Sequence, residues 1–499
     1  MELLTTMEME QADALTIASG IGGLTLMRAA GEAVAEAAEH LAEDGPIVVV
    51  AGRGNNGGDG FIAAAELAAR GRSVSVVLLC DRASLKGDAA LAAREWRGEV
   101  LPCEPQSIGN PALIIDALFG AGLNRPAKGD PLVAIEAMNA SGAPILAVDL
   151  PSGINGTTGA VMGTAVRATE TVTFFRRKPG HLLLPGRLHC GRVRLVDIGI
   201  GAEVLHAIRP VAFENIPELW QAVFPVPRID GHKYARGHAV VVSGGVASTG
   251  AARLAARGAL RAGAGLVTVA SPREALAVNA ATLTAIMVRA SDTPVEFAHL
   301  LADRRLNACI VGPGAGVGPH TRDLVLTALG GDRAVVLDAD ALTSFAEAPE
   351  LLFEQIKSRD NPQVILTPHS GEFSRLFSRI KTETETHSKL EQARAAAKLS
   401  GAVVLLKGPD TVVASPDGRA AISANASPWL ATAGSGDVLS GMIGAMLAQL
   451  VPAFEAACIG AWMHGEAGQE AGPGLIAEDL PEVLPAVLRR LLDGFGIDY

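Results

Sequence analysis

Short β-branched runs alternate with alanine-rich stretches along most of the 499 residues. Ile47–Ala51 is a short β-branched run, as expected of a buried strand, and Ser73–Leu79, Ala112–Asp116 and Pro144–Asp149 are further strand candidates. Thr171–Phe174 and Gly191–Val196 extend the series. Leu24–Leu41 carries apolar residues at helical spacing, and Phe61–Arg70 is alanine-rich and reads as a helix. This alternation predicts a parallel sheet with helices on both faces. The pattern breaks near Phe213–Asp230, which has several prolines and no sustained periodicity. A second α/β series begins at His238, with helices that include Gly250–Ala262 and Ser388–Ser400. The division expected is 1–215, a connection over 216–230, and 231–499.

Ligands of such sheets sit at the carboxyl ends of the strands, and three ends of the first half carry polar loops. Gly52–Asp59 (GRGNNGGD) follows the first strand, Asp116–Pro126 (DALFGAGLNRP) the third, and Val148–Asn155 (VDLPSGIN) the fourth. Gly52, Gly54 and Gly57 satisfy G-x-G-x-x-G, the dinucleotide fingerprint, with Asp81 as the ribose-binding acid. The match is loose: Asp81 lies beyond the usual spacing of about 20 residues, and two asparagines and an Asp-Gly crowd the turn. A tight turn with no ligand would use the same glycines. Another nucleotide-like ligand, contacted by Asn55, Asn56 and Asp59, is the third reading. Asp116, Asp149 and Ser152 are expected to meet this loop in one cleft.

In the second half, Trp429–Leu450 runs from a small-residue loop, A-G-S-G-D, into an apolar helix. Free N–H groups of Gly434 to Asp437 would form an anion hole, with Asp437 as acid or base toward a hydroxyl being phosphorylated. The plainer reading makes Asp437 a capping residue. Lys407, at a strand end in LLKGPDT, suits a nucleotide phosphate. No G-x-x-x-x-G-K-[ST] occurs, which excludes a P-loop.

Charge and composition narrow the choice. A formal net charge of −11 with no basic run argues against nucleic acid. No apolar stretch is long and uncharged enough to span a bilayer. The acidic N-terminus lacks a signal peptide's basic region, so a cytoplasmic protein is expected. The five cysteines are scattered singly with no C-x-x-C, as small core hydrophobes would be. His464 and Glu466 come nearest to a metal pair, against a polar helix face as the simpler reading.

Taken together, GRGNNGGDGF, DALFGAGLNRP, VDLPSGING and KPGH in the first half, with HKYARGH, GAARLAARGALRAGAGLVTVAS, VGPGAG, LDADAL, LTPHSGEF, LKGPDTVVA and TAGSGDVLSGMI in the second, carry a resemblance over nearly the whole chain. They resemble the bifunctional NAD(P)H-hydrate repair enzymes, an NAD(P)HX epimerase domain fused to an ADP-dependent NAD(P)HX dehydratase domain. The resemblance implies an α/β fold class: a Rossmann-like, doubly wound first domain and a ribokinase-like second. It implies that Asn55, Asn56, Gly57, Gly58 and Asp59, then Gly120, Ala121, Gly122, Leu123, Asn124, Arg125 and Pro126, with Asp149, bind the hydrated nucleotide. Asn56, Asp116 and Ser152 would hold potassium. Asp149 is the expected acid–base group of epimerisation, with Lys178 in reserve. In the second domain Ala251, Gly314, His369 and Asp437 would bind the hydrate, with Asp437 catalytic. Lys407, Gly408, Pro409, Asp410, Thr411 and Gly436 would bind ADP, with Mg2+ accompanying it. Phosphorylation of the hydrate hydroxyl and loss of phosphate would leave NAD(P)H and AMP. A homo-oligomer is expected, with small molecules as the only other partners. Ser435 stands where threonine is frequent and Ala315 where leucine is, both mild departures. The rivals are a ribokinase-type small-molecule kinase with an N-terminal nucleotide-binding regulatory module, and a first half that is only a scaffold.

Overall fold

Alternate residues of one strand face opposite layers, and this organises the first unit. Residues 1–42, 44–361, 363–378 and 388–497 are described in a computed structural model. The chain divides into two compact units, Glu2–Ala212 and Phe213–Tyr499, with Met1 counted in the second. The first holds β1 (Ile47–Ala51), β2 (Val74–Leu78), β3 (Val100–Pro102), β4 (Leu113–Ala117), β5 (Ile145–Val148), β6 (Glu170–Phe174) and β7 (Arg192–Val196). They run in the order β3-β2-β1-β4-β5-β6-β7, all parallel. Ile47, Val49 and Ala51 of β1 pack with Val34 and Phe61 on one face. Val48 and Val50 pack with Ile135 and Met138 on the other. A parallel sheet covered on both faces demands this continuous apolarity.

The helices differ from expectation at two places. A helix α1, Thr6–Ala18, precedes α2, Gly23–Leu41. The helix after β1, α3, starts at Asn55 and runs to Ala69, so N-N-G-G-D forms its first turns and not a loop. Glycine and asparagine are poor helix formers, but packing overrides the propensity. A Cβ at Gly57 would lie 2.0 Å from the carbonyl oxygen of Gly52, so only glycine lets the helix start this close to the strand.

The second unit holds β8 (His238–Val242), β9 (Leu266–Ser271), β10 (Met287–Ala290), β11 (Ala308–Val311), β12 (Ala334–Leu337), β13 (Val364–Leu366), β14 (Val403–Leu406), β15 (Val412–Ala414) and β16 (Ala420–Ile422). Their order is β16-β15-β14-β13-β12-β11-β8-β9-β10. Pairing is parallel from β10 through β14 and antiparallel in β14–β15 and β15–β16. Ala239 and Val241 pack against Ala252, Ala255 and Ala256 of α4 (Thr249–Arg261) and Met442 and Ile443 of the helix after the G-S-G-D turn. Within the stretch read as a connection, Trp220 is 1% exposed and belongs to this same core. Its ring meets Phe224, Trp462 and Phe495 at centroid distances of 5.8, 5.5 and 6.1 Å.

Candidate active sites at the strand ends

Strand register carries the first site. Asp116 on β4 lies opposite Val50 of β1 and Ala147 of β5, and Asp149 follows β5. Asp116 is wholly buried. Its Oδ1 accepts from Ser152 Oγ at 2.6 Å, and its Oδ2 from the Ser152 amide at 2.8 Å. The Ser152 hydroxyl in turn accepts from the Phe119 amide at 2.8 Å. Among the described residues no basic side chain joins this group, and burial pushes the Asp116 carboxyl up to about 6.

Asp149 is held quite differently. Its backbone is left-handed, with φ of 63°, a conformation a non-glycine residue keeps only when its surroundings fix it. Here the His181 Nε2 lies 2.8 Å from its carbonyl, and its amide donates to Val172 at 2.7 Å. Lys178, 1% exposed, puts its Nζ 2.5 Å from Asp149 Oδ1. Thr173 Oγ1 donates to the same oxygen at 3.0 Å, and the Ala121 amide to Oδ2 at 3.1 Å. Burial alone would raise the Asp149 carboxyl, but the charge and hydrogen bond of Lys178 outweigh it and hold the group below the usual carboxylate range. His181 is pushed down to about 4 by burial and by Lys178, so it is neutral.

Above these groups lies a cavity of about 880 Å³. Of the sequence-predicted residues, Asn55, Asn56, Asp59, Gly120–Pro126, Asp149 and Lys178 line it. Gly57 and Gly58 do not: they are buried against Gly52 and Met27. Asp116 and Ser152 sit beneath, tied to the loop through Phe119. A Cβ at Gly120 would lie 3.0 Å from Asn56 Oδ1 and 3.2 Å from Asp149 Oδ2, so three strand ends meet at this glycine, as the sequence led one to expect. Helix α1 contributes Thr6, Met9, Glu10, Asp13 and Ile17 to the same wall, residues that sequence reasoning missed. Asp81 takes no part. It caps a short turn by accepting from the Ala83 amide at 2.9 Å, so the dinucleotide fingerprint loses its ribose acid.

In the second unit Leu337 pairs with Leu366, which pairs with Val404, so Asp338, Thr367 and Lys407 emerge at one edge. Lys407 Nζ lies 2.7 Å from Asp338 Oδ1, and the other oxygen of Asp338 accepts from Ser440 Oγ. Burial would lower the Lys407 ammonium, but Asp338 and Glu372 keep it raised. A Cβ at Gly436 would lie 3.4 Å from Lys407 Nζ, so lysine and helix start face one another. That helix, α7, spans Ser435–Ala448, after α5 (Ser370–Leu376) and α6 (Lys389–Ser400). Asp437 lies in its first turn. Burial, with Asp338 nearby, raises its carboxyl to about 6.

One expectation is corrected. The Asp437 amide is not free: Gly434, at φ of 85°, turns its carbonyl to accept from Asp437 N at 3.1 Å. The Gly434, Ser435 and Gly436 amides lack a protein acceptor among the described residues. Ala251 and Gly314 are neighbours, since a Cβ at Gly314 would lie 3.2 Å from the Ala251 Cβ. His369 caps α5, its Nδ1 accepting from the Gly371 amide at 2.9 Å. Thr411 closes the turn after Lys407, its hydroxyl donating to the Gly408 carbonyl at 2.7 Å. Asp410 pairs with Lys389 at 2.7 Å. His464 and Glu466 are not a metal pair. His464 Nε2 lies 3.0 Å from the Ser435 carbonyl and supports the turn, while Glu466 accepts from Asn425 at 3.0 Å. A further cavity of about 770 Å³ opens at the opposite strand ends, near Leu306, Asn307 and Gln363, and no predicted site residue lines it.

Comparison with known proteins covers both units. Residues 23–180 match a family model described as YjeF-related protein N-terminus. Residues 239–485 match the NAD(P)H-hydrate dehydratase model. The bifunctional NAD(P)H-hydrate repair enzyme of Moorella thermoacetica is 36% identical over 98% of this chain and 97% of its own. The chain belongs to the bifunctional NAD(P)H-hydrate repair enzymes. The Mycobacterium tuberculosis repair enzyme is 38% identical over 89% of each chain. Among solved structures, the ADP/ATP-dependent NAD(P)H-hydrate dehydratase of Bacillus subtilis, co-crystallised with ATP and Mg2+, is 28% identical. It covers 56% of this chain and 98% of its own, with a TM-score of 0.47. The fold class expected of a repair enzyme, Rossmann-like then ribokinase-like, holds for this one. Asp338 and Ser440 went unremarked in the sequence, although Asp338 stands in LDADAL at a strand end, the position that singled out Lys407.

Proposed function

We propose that this repair enzyme interconverts the R and S forms of hydrated NADH and NADPH in its first unit and dehydrates the S form in its second, at the expense of ADP. The observation that carries this reading is the presence in one chain of both family segments, each with its charged residues gathered at the carboxyl ends of parallel strands.

In this reading the hydrate lies in the first cavity, contacted by Asn55, Asn56, Asp59, residues 120–126 and Asp149. Asp149 is the anionic member of the site, and Lys178 keeps it so. Potassium fits the floor chemically. Asp116 is a buried carboxylate with no basic partner among the described residues, and Ser152 and Asn56 add oxygen donors; a hard cation favours such a set. The Asn56 Nδ2 is buried with no hydrogen-bond partner, which leaves its amide oxygen as the polar group facing Gly120. The cation would supply positive charge beside Asp116, where no basic side chain acts among the described residues, and Asp116, Ser152 and Asn56 would hold it.

In the second unit Lys407, the turn through Thr411, and Gly436 receive the diphosphate. The Ser435 and Gly436 amides meet the transferring phosphoryl group, and Asp437 takes the proton of the hydrate hydroxyl. A phosphate then leaves where hydroxide would not. Ala251, Gly314 and His369 flank the hydrate. Among the described residues no three His, Cys, Asp or Glu side chains form a metal cluster, so we assign Mg2+ to the nucleotide's phosphates. No described helix is long and apolar enough to cross a membrane, and a cytoplasmic setting belongs to the same proposal.

The test is direct. Purified protein with mixed hydrate epimers and ADP should convert both to the reduced nicotinamide, releasing AMP and free phosphate. A stable phosphate ester in place of free phosphate would make the chain a small-molecule kinase.

A further inference from the structure

Five carboxyl side chains line the first cavity, Glu10, Asp13, Asp59, Asp88 and Asp149, and they differ in what restrains them. Asp149 is clamped by Lys178, Thr173 and the Ala121 amide. Asp59 and Asp13 both line the cavity, and neither side chain makes a hydrogen bond among the described residues. Asp13 comes from α1, which lies outside the residues matched by the N-terminal family model. Its position is nonetheless fixed. A capping box between Thr5 and Glu8 starts the helix, with the Thr5 amide donating to Glu8 Oε2 at 2.7 Å. Thr6 Oγ1 donates to the Ala121 carbonyl at 3.0 Å, and the Thr6 amide to Thr157 Oγ1 at 3.2 Å. The helix is thus fastened to the loop that also touches Asp149. Thr6, Met9, Glu10, Asp13 and Ile17 follow helical spacing, so one face of α1 forms the wall.

From this geometry we infer that Asp13 is a catalytic residue of epimerisation, exchanging the proton of the C6 hydroxyl while Asp149 stays anionic. The inference rests on the epimerase reading of the first unit. In the hydrate, C6 carries a hydroxyl beside the ring nitrogen. The Asp13 carboxyl gives its proton to that oxygen, and the C6–O bond breaks with its electron pair leaving on water. The nitrogen lone pair forms the C6=N bond, giving a planar iminium. Water then adds to the other face, the C=N pair returns to nitrogen, and the added water gives one proton back to Asp13. Nothing is oxidised or reduced. The positive iminium calls for a fixed negative charge, which Asp149 supplies.

The proton carrier must act as acid when water leaves and as base when it returns, which works best with a pKa near ambient pH. Burial raises the Asp13 carboxyl to about 6; Lys178 opposes this, and Asp149 and Glu10 add to it. Asp59 is raised as well, by burial and by the charges of Asp149 and Asp13.

The test uses the full chain, fed the R epimer with ADP, so that epimerisation limits the appearance of the reduced nicotinamide. Asp13→Asn should lower kcat of epimerisation by about 10²-fold or more, with KM within threefold and dehydration of the S epimer unchanged. Asp13→Glu should recover at least tenfold over Asp13→Asn, with an ionisation near pH 6 in its rate profile that Asp13→Asn lacks. Retention of kcat within threefold in Asp13→Asn would overturn the assignment. So would a loss carried by KM with no recovery in Asp13→Glu, because a structural role predicts that pattern. If the wild-type chain fails to interconvert the epimers, the epimerase reading itself falls.

Discussion

Asp149, Asp116 and Asp437 are all aspartates at or just beyond strand ends or helix starts, yet they have different charged neighbours. Asp149 has a buried ammonium at 2.5 Å and stays ionised. Among the described residues Asp116 has only neutral donors, and it is raised to about 6. Asp437 is raised to about 6 as well, beside Asp338 and opposite Lys407. The difference supports the proposed roles, which residue type alone leaves open. A base must be ionised to act, so dehydration should rise with pH through about 6 and level off above it. Asp437→Asn should lower AMP formation by about 10²–10⁴-fold and remove that limb, while ADP affinity and epimerisation persist. The sign of its effect on stability is opposite. The folded carboxyl titrates higher than the unfolded one, so the folded state binds more protons between about pH 4 and 6 and loses stability as pH rises through that window. The neutral amide escapes this loss, and Asp437→Asn should melt no lower than wild type at pH 7. A variant that loses both activity and Tm would return Asp437 to a capping role.

Elements were legible in the sequence where burial is total. β1 spans Ile47–Ala51 as its apolar run indicated, because both faces of the strand are covered. α3 was misread at its start because glycine and asparagine favour turns in isolation, and only contact with Gly52 makes the helix begin at Asn55. α1 was passed over, although Thr5-x-x-Glu8 is a capping box visible in the sequence. Asp13 was lost with it. The start of α3 leads to a specific expectation. Gly57→Ala places a methyl 2.0 Å from a backbone oxygen, and overpacking of this kind costs about 1–3 kcal/mol. It should lower the melting temperature of the first unit and impair epimerisation by displacing Asn55 and Asn56. Dehydration of the S epimer should continue at the wild-type rate. An unshifted melting profile would mean that the helix start yields freely.

At the scale of the whole chain, the place where one unit ends was read from prolines and lost periodicity, and a lack of periodicity does not distinguish a spacer from an irregular segment packed on a core. Phe213–Phe224 is of the second kind: Trp220 is buried among Phe224, Trp462 and Phe495, and its indole N–H donates to Asn215 Oδ1 at 3.1 Å. Asn215 in turn donates to the Cys458 carbonyl at 2.8 Å and to Ser423 Oγ at 2.9 Å, so this segment is bound to the middle of the dehydratase core. We expect a fragment beginning at Phe213 to fold and to dehydrate only the S epimer with ADP. One beginning at Arg228 leaves an empty site where the indole was, and removal of a buried aromatic side chain costs about 3–5 kcal/mol. That is a large share of a typical domain's roughly 5–15 kcal/mol. The shorter fragment should therefore unfold at lower denaturant or fail to accumulate, although every residue assigned to the dehydratase site is present in it. Denaturant melts of the two fragments decide the matter. Equal midpoints would mean that Trp220 only covers a surface, and consumption of both epimers by the longer fragment would break the division of labour between the two units.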